Sequence, residues 1–151
     1  MRSCDFILAG VGGQGTLLAS NILAGVGIYA GYDVKKSEVH GMAQRGGSVS
    51  SHVRWGEVVH SPLVATRSAD ILVAFELCEA LRYLEFLRPG GTAIVSDHVI
   101  VPVTVTTGSA AYPTKDQVVN ALHRVTSEVK IVSAVSSAEE LGDARVHNVI
   151  L

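Results

Sequence analysis

The stretch FILAGVGGQGT, residues 6–16, decides the fold that the rest of the sequence completes. Its first four residues are a short apolar run stopped by glycines, which is typical of a buried central strand. Gly10, Gly12 and Gly15 then fit the pattern G-x-G-x-x-G, between this strand and a helix predicted to start at Thr16. Such a loop permits a tight turn and lets the backbone approach a ligand, while the N–H groups of the helix's first turn attract an anion. The stretch predicts an α/β fold with a phosphate or carboxylate site after its first strand.

Strands and helices alternate along the rest of the sequence. The first helix carries an apolar stripe at helical spacing and Gly31 is its predicted end; the stripe is Leu18, Ile22, Val26 and Tyr29. Apolar runs predict strands at 33–39, 48–54, 69–75, 92–96 and 129–134. Helices are predicted from Leu77 to the turn at 88–91, after a Thr114 cap, and from a capping box at 137–140. This order predicts a three-layer Rossmann-like α/β domain with a mostly parallel sheet.

One antiparallel hairpin is expected to be inserted in this sheet. The Trp55-Gly56-Glu57 segment has the composition of a turn and lies between two extended runs, 48–54 and 58–62. We therefore predict that these two runs pair with each other.

Length and composition indicate one domain. With 151 residues, of which 48% are hydrophobic, the chain can bury one substantial core, so we assign residues 1–151 to a single domain. The last residues, Val149-Ile150-Leu151, are apolar and resemble the beginning of a helix. We expect the domain to lack its C-terminal segment.

Charge and cysteine content exclude several classes of function. The net charge is −2 and the cationic residues are scattered, so no basic stripe for a nucleic acid is present. Cys4 and Cys78 are too few for a four-thiolate iron–sulfur cluster or a cysteine-rich zinc site within this chain. No apolar run approaches the length of a membrane span and no signal peptide precedes the first strand. We expect a cytoplasmic protein with reduced thiols and no membrane partner.

A polar loop, SEVHGMAQRGGS at residues 37–48, follows the predicted second strand, where an open α/β sheet binds its ligands. Gln14 and Thr16 of the glycine loop are predicted to face Gln44, Arg45 and Ser48 across this crevice. Alternatively, the segment is a solvated loop in which Glu38 pairs with Arg45.

Binding of a dinucleotide is a weaker interpretation of the glycine loop. It needs an acidic residue at the end of the second strand to hold the ribose hydroxyls. Asp33 begins that strand and so lies at the wrong edge of the sheet, whereas Glu38 is nearer the right end. Tight packing of strand on helix with an incidental anion site explains the glycines better.

Two motifs together carry a family resemblance. GVGGQGTLLAS at 10–20 and EVHGMAQRGGSVSSHVR at 38–54 closely resemble the gamma-type domain of 2-oxoacid:ferredoxin oxidoreductases. The HGMAQRGG version is similar to the beta subunit of indolepyruvate ferredoxin oxidoreductase, the arylpyruvate branch of the family. A gamma subunit of a pyruvate or 2-oxoglutarate ferredoxin oxidoreductase is the alternative within this family.

The resemblance implies a subunit that is inactive alone. It implies oxidative decarboxylation of arylpyruvates to aryl-acyl-CoA, with coenzyme A as co-substrate and electrons passed to ferredoxin. Thiamine diphosphate, Mg and [4Fe-4S] clusters are then expected on a large alpha subunit, and this chain is expected to bind none of them alone. A hetero-oligomer follows from this division of labour.

The candidate site residues lie in the two loops. Arg45 is the strongest catalytic candidate because its guanidinium can clamp a carboxylate or phosphate with two hydrogen bonds; His40 could exchange a proton near neutral pH, and Glu38 could orient Arg45. The predicted cofactor-binding residues are Gly10, Gly12, Gly13, Gln14, Gly15, Thr16, Gln44, Gly46, Gly47 and Ser48.

Two other interpretations remain open at this point. In one, the chain is an independent nicotinamide or flavin oxidoreductase that uses the glycine loop. In the other, it is an assembly module whose loops only pack against a neighbour. No metal site is predicted, because the histidines show no metal-ligand spacing.

Overall fold

The structure, a computed structural model, describes residues 3–40 and 46–151. Its strands are β1 (Cys4–Val11), β2 (Asp33–His40), β3 (Ser48–Gly56), β4 (Ala69–Ala74), β5 (Leu87–Ser96) and β6 (Glu128–Val132). Its helices are α1 (Thr16–Tyr29), α2 (Leu77–Arg82), α3 (Val103–Thr106), α4 (Lys115–His123), α5 (Ala134–Glu140) and α6 (His147–Ile150). Single 3-10 turns lie at Leu84–Phe86 and Ala144–Val146. In the part of the chain that the structure describes, no helix has the length and apolar character needed to span a bilayer.

The strands form one sheet in the order β2-β3-β1-β4-β5-β6. β1, β4, β5 and β6 run parallel, whereas β3 is antiparallel to both of its neighbours, β1 and β2. β2 therefore runs in the same direction as β1, although β3 separates the two. We call the edge where β1, β2, β4, β5 and β6 end, and where β3 starts, the carboxyl edge, and the opposite one the amino edge. The predicted three-layer, mostly parallel α/β fold with an inserted hairpin is confirmed.

The predicted pairing within the inserted hairpin is wrong. β3 continues through Trp55 to Gly56 and pairs along its whole length with β2, not with residues 58–62. β1 takes the other side of β3, so no side of β3 is left for a further strand. Trp55 packs its ring against Phe6, with 4.7 Å between the ring centroids, which holds this end of β3 in the sheet instead of in a turn.

Two apolar layers cover the two faces of the sheet. One, beneath α2 and α4, is built around the fully buried Ile7, Leu72 and Leu122. The other, beneath α1, contains Phe6 and Phe75. Neighbouring strands of the sheet lie far apart in the sequence, so residues distant in sequence determine the geometry of each strand end.

Helix α1 faces the sheet with its small residues and not with its apolar stripe. Ser20 and Gly27 are buried, and a Cβ placed on Gly27 would lie 2.6 Å from Trp55 Nε1. Small residues let the helix approach the sheet closely, and this turns the stripe at Leu18, Ile22, Val26 and Tyr29 outward, where its members are about half exposed or more. The spacing thus predicted the helix, but it did not predict which face is buried.

Four helix boundaries test the predicted helix starts and ends. Thr114 caps α4, as predicted, and it does so in a capping box with Gln117. Gly31, the predicted end of α1, follows the helix with a φ of 85°. The helix after β4 is shorter than predicted, because α2 ends at Arg82 and the 88–91 turn lies within β5. Residues 137–140 are also not the start of a helix, since they form the end of α5.

Candidate functional site

The glycine loop leads from β1 into α1 at the carboxyl edge. Gly13 has a φ of 107° and Gly15, the residue before the first turn of α1, a φ of 82°, values that side chains with a Cβ rarely adopt. Space is also limiting at Gly15, where a Cβ would lie 2.1 Å from Asn148 Nδ2. Asn148 donates a 3.4 Å hydrogen bond from this nitrogen to the Gly15 carbonyl, so the residues around α6 fix the start of α1.

The glycine loop and the end of the polar loop are in direct contact. The Gly12 N–H donates to the Gly47 carbonyl at 2.8 Å, and the Gly46 N–H donates to the Gly12 carbonyl at 3.4 Å. We call these two hydrogen bonds of Gly12, with Gly46 and Gly47, the clasp. Because Val11 and Ser48 are register partners in the β1–β3 ladder, the clasp continues the sheet by one further step. The two loops meet at one edge of the sheet, as the sequence predicts.

Not all residues of the polar loop can be placed. Gln44, predicted to bind a cofactor, and Arg45, predicted to be catalytic, lie outside the described residues. The backbone of His40 pairs with Val49 at the end of β2, on the carboxyl edge. The roles of these three residues stay predictions.

A cavity of about 460 Å³ lies beside the clasp, on the α1 side of the sheet. Its lining consists of the glycine loop, the start of α1 and parts of β2 and β3: Val11, Gly12, Gly13, Gly15, Thr16, Leu17, Glu38, Val49 and Ser51. Among the glycines predicted to bind a cofactor, Gly12, Gly13 and Gly15 reach this cavity. Gly10 does not, because a Cβ there would meet Thr16 Oγ1 at 2.9 Å and Phe75 at 3.2 Å, which is the close packing of helix on strand.

Two residues in the lining of this cavity carry buried hydroxyls. Thr16 is 3% exposed and Ser51 is 0% exposed, and neither hydroxyl has a hydrogen-bond partner among the described residues. A buried polar group without a partner costs about 1–3 kcal/mol, so such groups in a native protein normally serve water or a ligand. Thr16 is also the first residue of a 14-residue helix whose first turn contains no acidic residue. The helix dipole and the two hydroxyls suit an anion.

Glu38 adds a compensated charge to the cavity wall. Its carboxylate pairs with Lys36 Nζ at 2.5 Å, and the same ammonium donates to Asn21 Oδ1 of α1. Since β3 lies between β2 and β1, Glu38 is not on the strand next to β1, where a dinucleotide fold places its ribose-binding carboxylate. Asp33 begins β2 at the amino edge, as predicted. Both observations weigh against a dinucleotide.

Gln14 points into the protein and not into the cavity. Its Oε1 accepts a hydrogen bond from the Val11 N–H, and its Nε2 donates one to the Phe75 carbonyl, both at 2.8 Å. These bonds fasten the glycine loop to the end of β4. A role of Gln14 in ligand binding stays a prediction, but its amide is already engaged on both sides.

A second polar cluster lies at the carboxyl edge on the other face of the sheet. Here the Ser48 hydroxyl donates to the Glu79 carboxylate and lies 3.1 Å from the Tyr83 hydroxyl. Beside it, Glu76 is fully buried and accepts hydrogen bonds from the Tyr112 hydroxyl and from the Ile100 N–H. Ser48, predicted to bind a cofactor, thus belongs to this cluster and not to the cavity beside Thr16.

The side chains of the second cluster shift one another's pKa values. Burial and the Glu76 carboxylate raise the pKa of the Tyr112 hydroxyl, which therefore stays protonated and donates. Burial followed by the charges of Glu76 and Glu79 raises the pKa of the Cys78 thiol, so this cysteine is a poor nucleophile. The sequence analysis missed this cluster, although a pattern could have indicated it. Two glutamates three residues apart directly follow a buried strand, at the edge where ligands bind.

Comparison with known proteins identifies relatives of the whole chain. Residues 5–151 match the protein family described as pyruvate ferredoxin/flavodoxin oxidoreductase. Indolepyruvate oxidoreductase subunit IorB of Archaeoglobus fulgidus is 43% identical over 147 residues, which cover 97% of this chain and 73% of that relative. The subunit of the same name from Pyrococcus horikoshii is 38% identical over 152 residues, covering 100% of this chain and 75% of the relative.

Solved structures share the fold. The gamma subunit of the keto/oxoacid ferredoxin oxidoreductase from Geobacter sulfurreducens superposes with a TM-score of 0.67 at 21% identity, covering 99% of this chain and 72% of that one. The 2-oxoglutarate:ferredoxin oxidoreductase of Magnetococcus marinus, solved with 2-oxoglutarate, coenzyme A and succinyl-CoA bound, gives a TM-score of 0.68 at 17% identity and covers 99% of this chain and 23% of that one.

The match is continuous across both loops, the sheet and the helices, and so the resemblance carried by residues 10–20 and 38–54 is confirmed. By its sequence over almost its full length, and by the fold that those loops share, this chain belongs to the pyruvate ferredoxin/flavodoxin oxidoreductase family.

Proposed function

We propose that this chain is the small subunit of an indolepyruvate:ferredoxin oxidoreductase and that the cavity beside its glycine loop receives an anionic part of coenzyme A. The complex oxidatively decarboxylates arylpyruvates to aryl-acyl-CoA and passes the electrons to ferredoxin. The single observation that carries the binding role is the pair of buried hydroxyls, Thr16 and Ser51, which lack partners among the described residues and line the cavity at the N-terminus of α1.

The chemistry of the cavity fits a phosphate group. A phosphate oxygen accepts several hydrogen bonds at once, and the cavity offers hydroxyl donors together with the unpaired N–H groups of a helix terminus. A volume of about 460 Å³ exceeds what one phosphate needs, which leaves room for the adjoining part of a larger ligand. The Lys36 ammonium already neutralises Glu38, so that carboxylate does not repel an anion as a free one would.

The polar loop supplies the remaining groups in this proposal. Arg45 clamps the anion or the substrate carboxylate with its guanidinium, Gln44 contributes neutral hydrogen bonds, and His40 donates or accepts a proton. The clasp between Gly12 and Gly47 holds the end of this loop at the cavity.

The partner carries the cofactors. In our proposal a large alpha subunit binds thiamine diphosphate, Mg and the [4Fe-4S] clusters, and it also contacts ferredoxin. The relatives of this chain are named as subunits of oxidoreductases, which agrees with a hetero-oligomer. We also propose a cytoplasmic location, in which the thiols of Cys4 and Cys78, both unpaired in the structure, stay reduced.

The runner-up is the gamma subunit of a 2-oxoglutarate or pyruvate enzyme. 2-oxoglutarate synthase subunit KorC of Methanothermobacter marburgensis is 34% identical over 96 residues, 62% of this chain and 50% of that relative. Its match is shorter, and its identity lower, than those of the IorB subunits of Archaeoglobus fulgidus and Pyrococcus horikoshii, so the arylpyruvate branch is favoured.

Replacement of Arg45 tests the shared site. In the purified complex, we expect Arg45→Ala to lower turnover of indolepyruvate about 100-fold or more while the two subunits still co-elute, because a charge-assisted clamp on the substrate is lost. Arg88→Ala is the matched control: its guanidinium pairs with Asp70 at the amino edge, 2.7 Å away, and turnover is expected to stay unchanged.

Two outcomes contradict the proposed role of Arg45. If the variant only loses association with the large subunit, the polar loop serves assembly. If rate and association are both unchanged, Arg45 has no part in the site.

A further inference from the structure

We infer that Glu79 is a positioning residue of this site: its buried carboxylate anchors Ser48 and thereby sets the clasp between the polar loop and the glycine loop. Only the kinetic consequence of this inference rests on the proposed function. The structural consequence, a change at the Gly12 and Gly46 hydrogen bonds, does not.

The surroundings of Glu79 define the anchor. Its side chain is 6% exposed and lies in the first turn of α2, where its backbone N–H donates to Glu76 Oε2 at 3.0 Å. One carboxylate oxygen accepts the Ser48 hydroxyl and the other accepts Arg82 Nε at 3.1 Å. The carboxylate is thus held by α2 on one side and holds the start of β3 on the other.

Ser48 connects this anchor to the glycine loop. It is the first residue of β3 and follows Gly46 and Gly47, whose backbone groups bond to Gly12 at 3.4 and 2.8 Å. A shift of Ser48 must move both of these bonds, because only two peptide units separate them from it. Arg45 precedes Ser48 by three residues in the sequence, so the anchor also constrains where the polar loop re-enters the sheet.

The chemistry of the contact explains why a carboxylate is used. A hydroxyl donating to a carboxylate forms a charge-assisted hydrogen bond, roughly twice as strong as a neutral one. Burial of a carboxylate is costly unless it is fully partnered, and Arg82 supplies the counter-charge. The guanidinium of Arg82 is protonated at any physiological pH, so this counter-charge is permanent. Apolar packing at this position would fill space, but it would not fix the direction of the Ser48 side chain.

The first test measures hydrogen exchange in the full chain. We expect Glu79→Gln and Ser48→Ala each to speed exchange of the Gly12 and Gly46 amides about tenfold, because each removes the charge-assisted bond, while amides in β4 and β5 keep their rates. Asp70→Asn is the matched control. It removes a carboxylate paired with an arginine at the amino edge and should leave the Gly12 and Gly46 amides unchanged.

The second test measures the assembled complex. If Glu79 acts through Ser48, each single variant raises the KM for coenzyme A about tenfold and changes kcat less than threefold, and the double variant is no worse than Glu79→Gln alone. Asp70→Asn leaves both constants unchanged.

Each adverse result overturns a different statement. Additive effects of the two substitutions, or faster exchange spread evenly over the chain, show that Glu79 is a structural residue only. An inactive wild-type complex refutes the proposed function instead, while the exchange pattern still decides the role of Glu79.

Discussion

The two edges of the sheet differ in how their charged groups and their hydroxyls are paired. At the amino edge, Asp5 pairs with Arg54 Nε at 2.9 Å and Asp70 pairs with Arg88 Nε at 2.7 Å. Asp70 also accepts the backbone N–H of Asp5, so these charged groups are paired within the protein. The indole N–H of Trp55 is buried at this edge without a partner in the described part of the chain. At the carboxyl edge, the hydroxyls of Thr16 and Ser51 are buried without a partner in the described part of the chain.

This difference separates groups that hold the fold from groups that serve a ligand. Ion pairs between the protein's own side chains contribute modestly to stability and require nothing from outside. Unpartnered buried hydroxyls reduce stability, and those of residues that line a cavity are available to a ligand there. We therefore expect substitutions at the amino edge to change stability alone, and substitutions at the carboxyl edge to change binding.

Gly15→Ala is expected to have the largest effect on stability. The new Cβ meets Asn148 Nδ2 at 2.1 Å and also forces alanine into a φ of 82°. Strain and displacement of Asn148 together should lower the free energy of unfolding by about 3 kcal/mol, measured by urea denaturation.

Gly13→Ala separates strain from crowding in the same loop. Gly13 has a φ of 107°, but a Cβ there meets no atom within 4 Å. The loss should be about 1–2 kcal/mol, from backbone strain only. Equal losses for the two variants would mean that the contact with Asn148 does not matter.

Thr16→Val should weaken binding at the carboxyl edge without lowering stability. Valine keeps the shape of threonine and removes the hydroxyl that lacks a partner, so the free energy of unfolding should stay the same or rise by about 1 kcal/mol. The KM for coenzyme A in the complex should rise about tenfold, because a donor to the ligand is lost. Steady-state kinetics and urea denaturation of the same preparation check both expectations.

Asp5→Asn at the amino edge should have the opposite effect, lowering stability without changing binding. It weakens the pair with Arg54 and should lower the free energy of unfolding by about 1 kcal/mol. The KM for coenzyme A should not change. If Asp5→Asn raised this KM as much as Thr16→Val does, the distinction between the two edges would fail.

The sequence predicted the fold well because its signals are local. The apolar run at 6–9 and the glycine pattern after it determine a central strand, a turn and a helix start, and the structure confirms all three. The pairing of β3 with β2 was missed, because which sheet edge is free depends on the neighbouring strands. The buried face of α1 was missed for a similar reason: its stripe at Leu18 and Ile22 has the right period, but the close approach through Gly27 selects the opposite face.

The site was predicted in outline and not in detail. The meeting of the two loops follows from the direction of β1 and β2, which a sequence pattern can indicate. The division of their side chains between two faces of the sheet does not follow from it. Gln14 turns inward to Phe75, and Ser48 turns to Glu79 on α2, because of contacts with residues more than thirty positions away in the sequence.

The smallest expected effect is a pH dependence that arises between the two edges. His52 lies in the middle of β3, almost fully buried, and its Nδ1 accepts the Val64 N–H at 3.1 Å. Burial lowers the pKa of His52, so the folded protein keeps the ring neutral while the unfolded chain takes up a proton near its ordinary pKa of about 6.5. The free energy of unfolding therefore keeps its full value above about pH 6.5. It decreases as the pH falls through and below that value, because protonation of His52 stabilises the unfolded chain.

Asparagine at position 52 isolates this contribution, because its Oδ1 can replace Nδ1 as the acceptor and does not titrate. His52→Asn loses the edge contact of the ring with Phe86, at 5.4 Å, and should melt lower than the wild type at pH 7.5. Between pH 7.5 and pH 5.5, however, its Tm should fall by about 2 °C less than that of the wild type. His123→Gln on the exposed side of α4 should keep the wild-type slope. Equal slopes for wild type and His52→Asn would show that the centre of β3 tolerates a charge and that burial of His52 does not contribute to the pH dependence of stability.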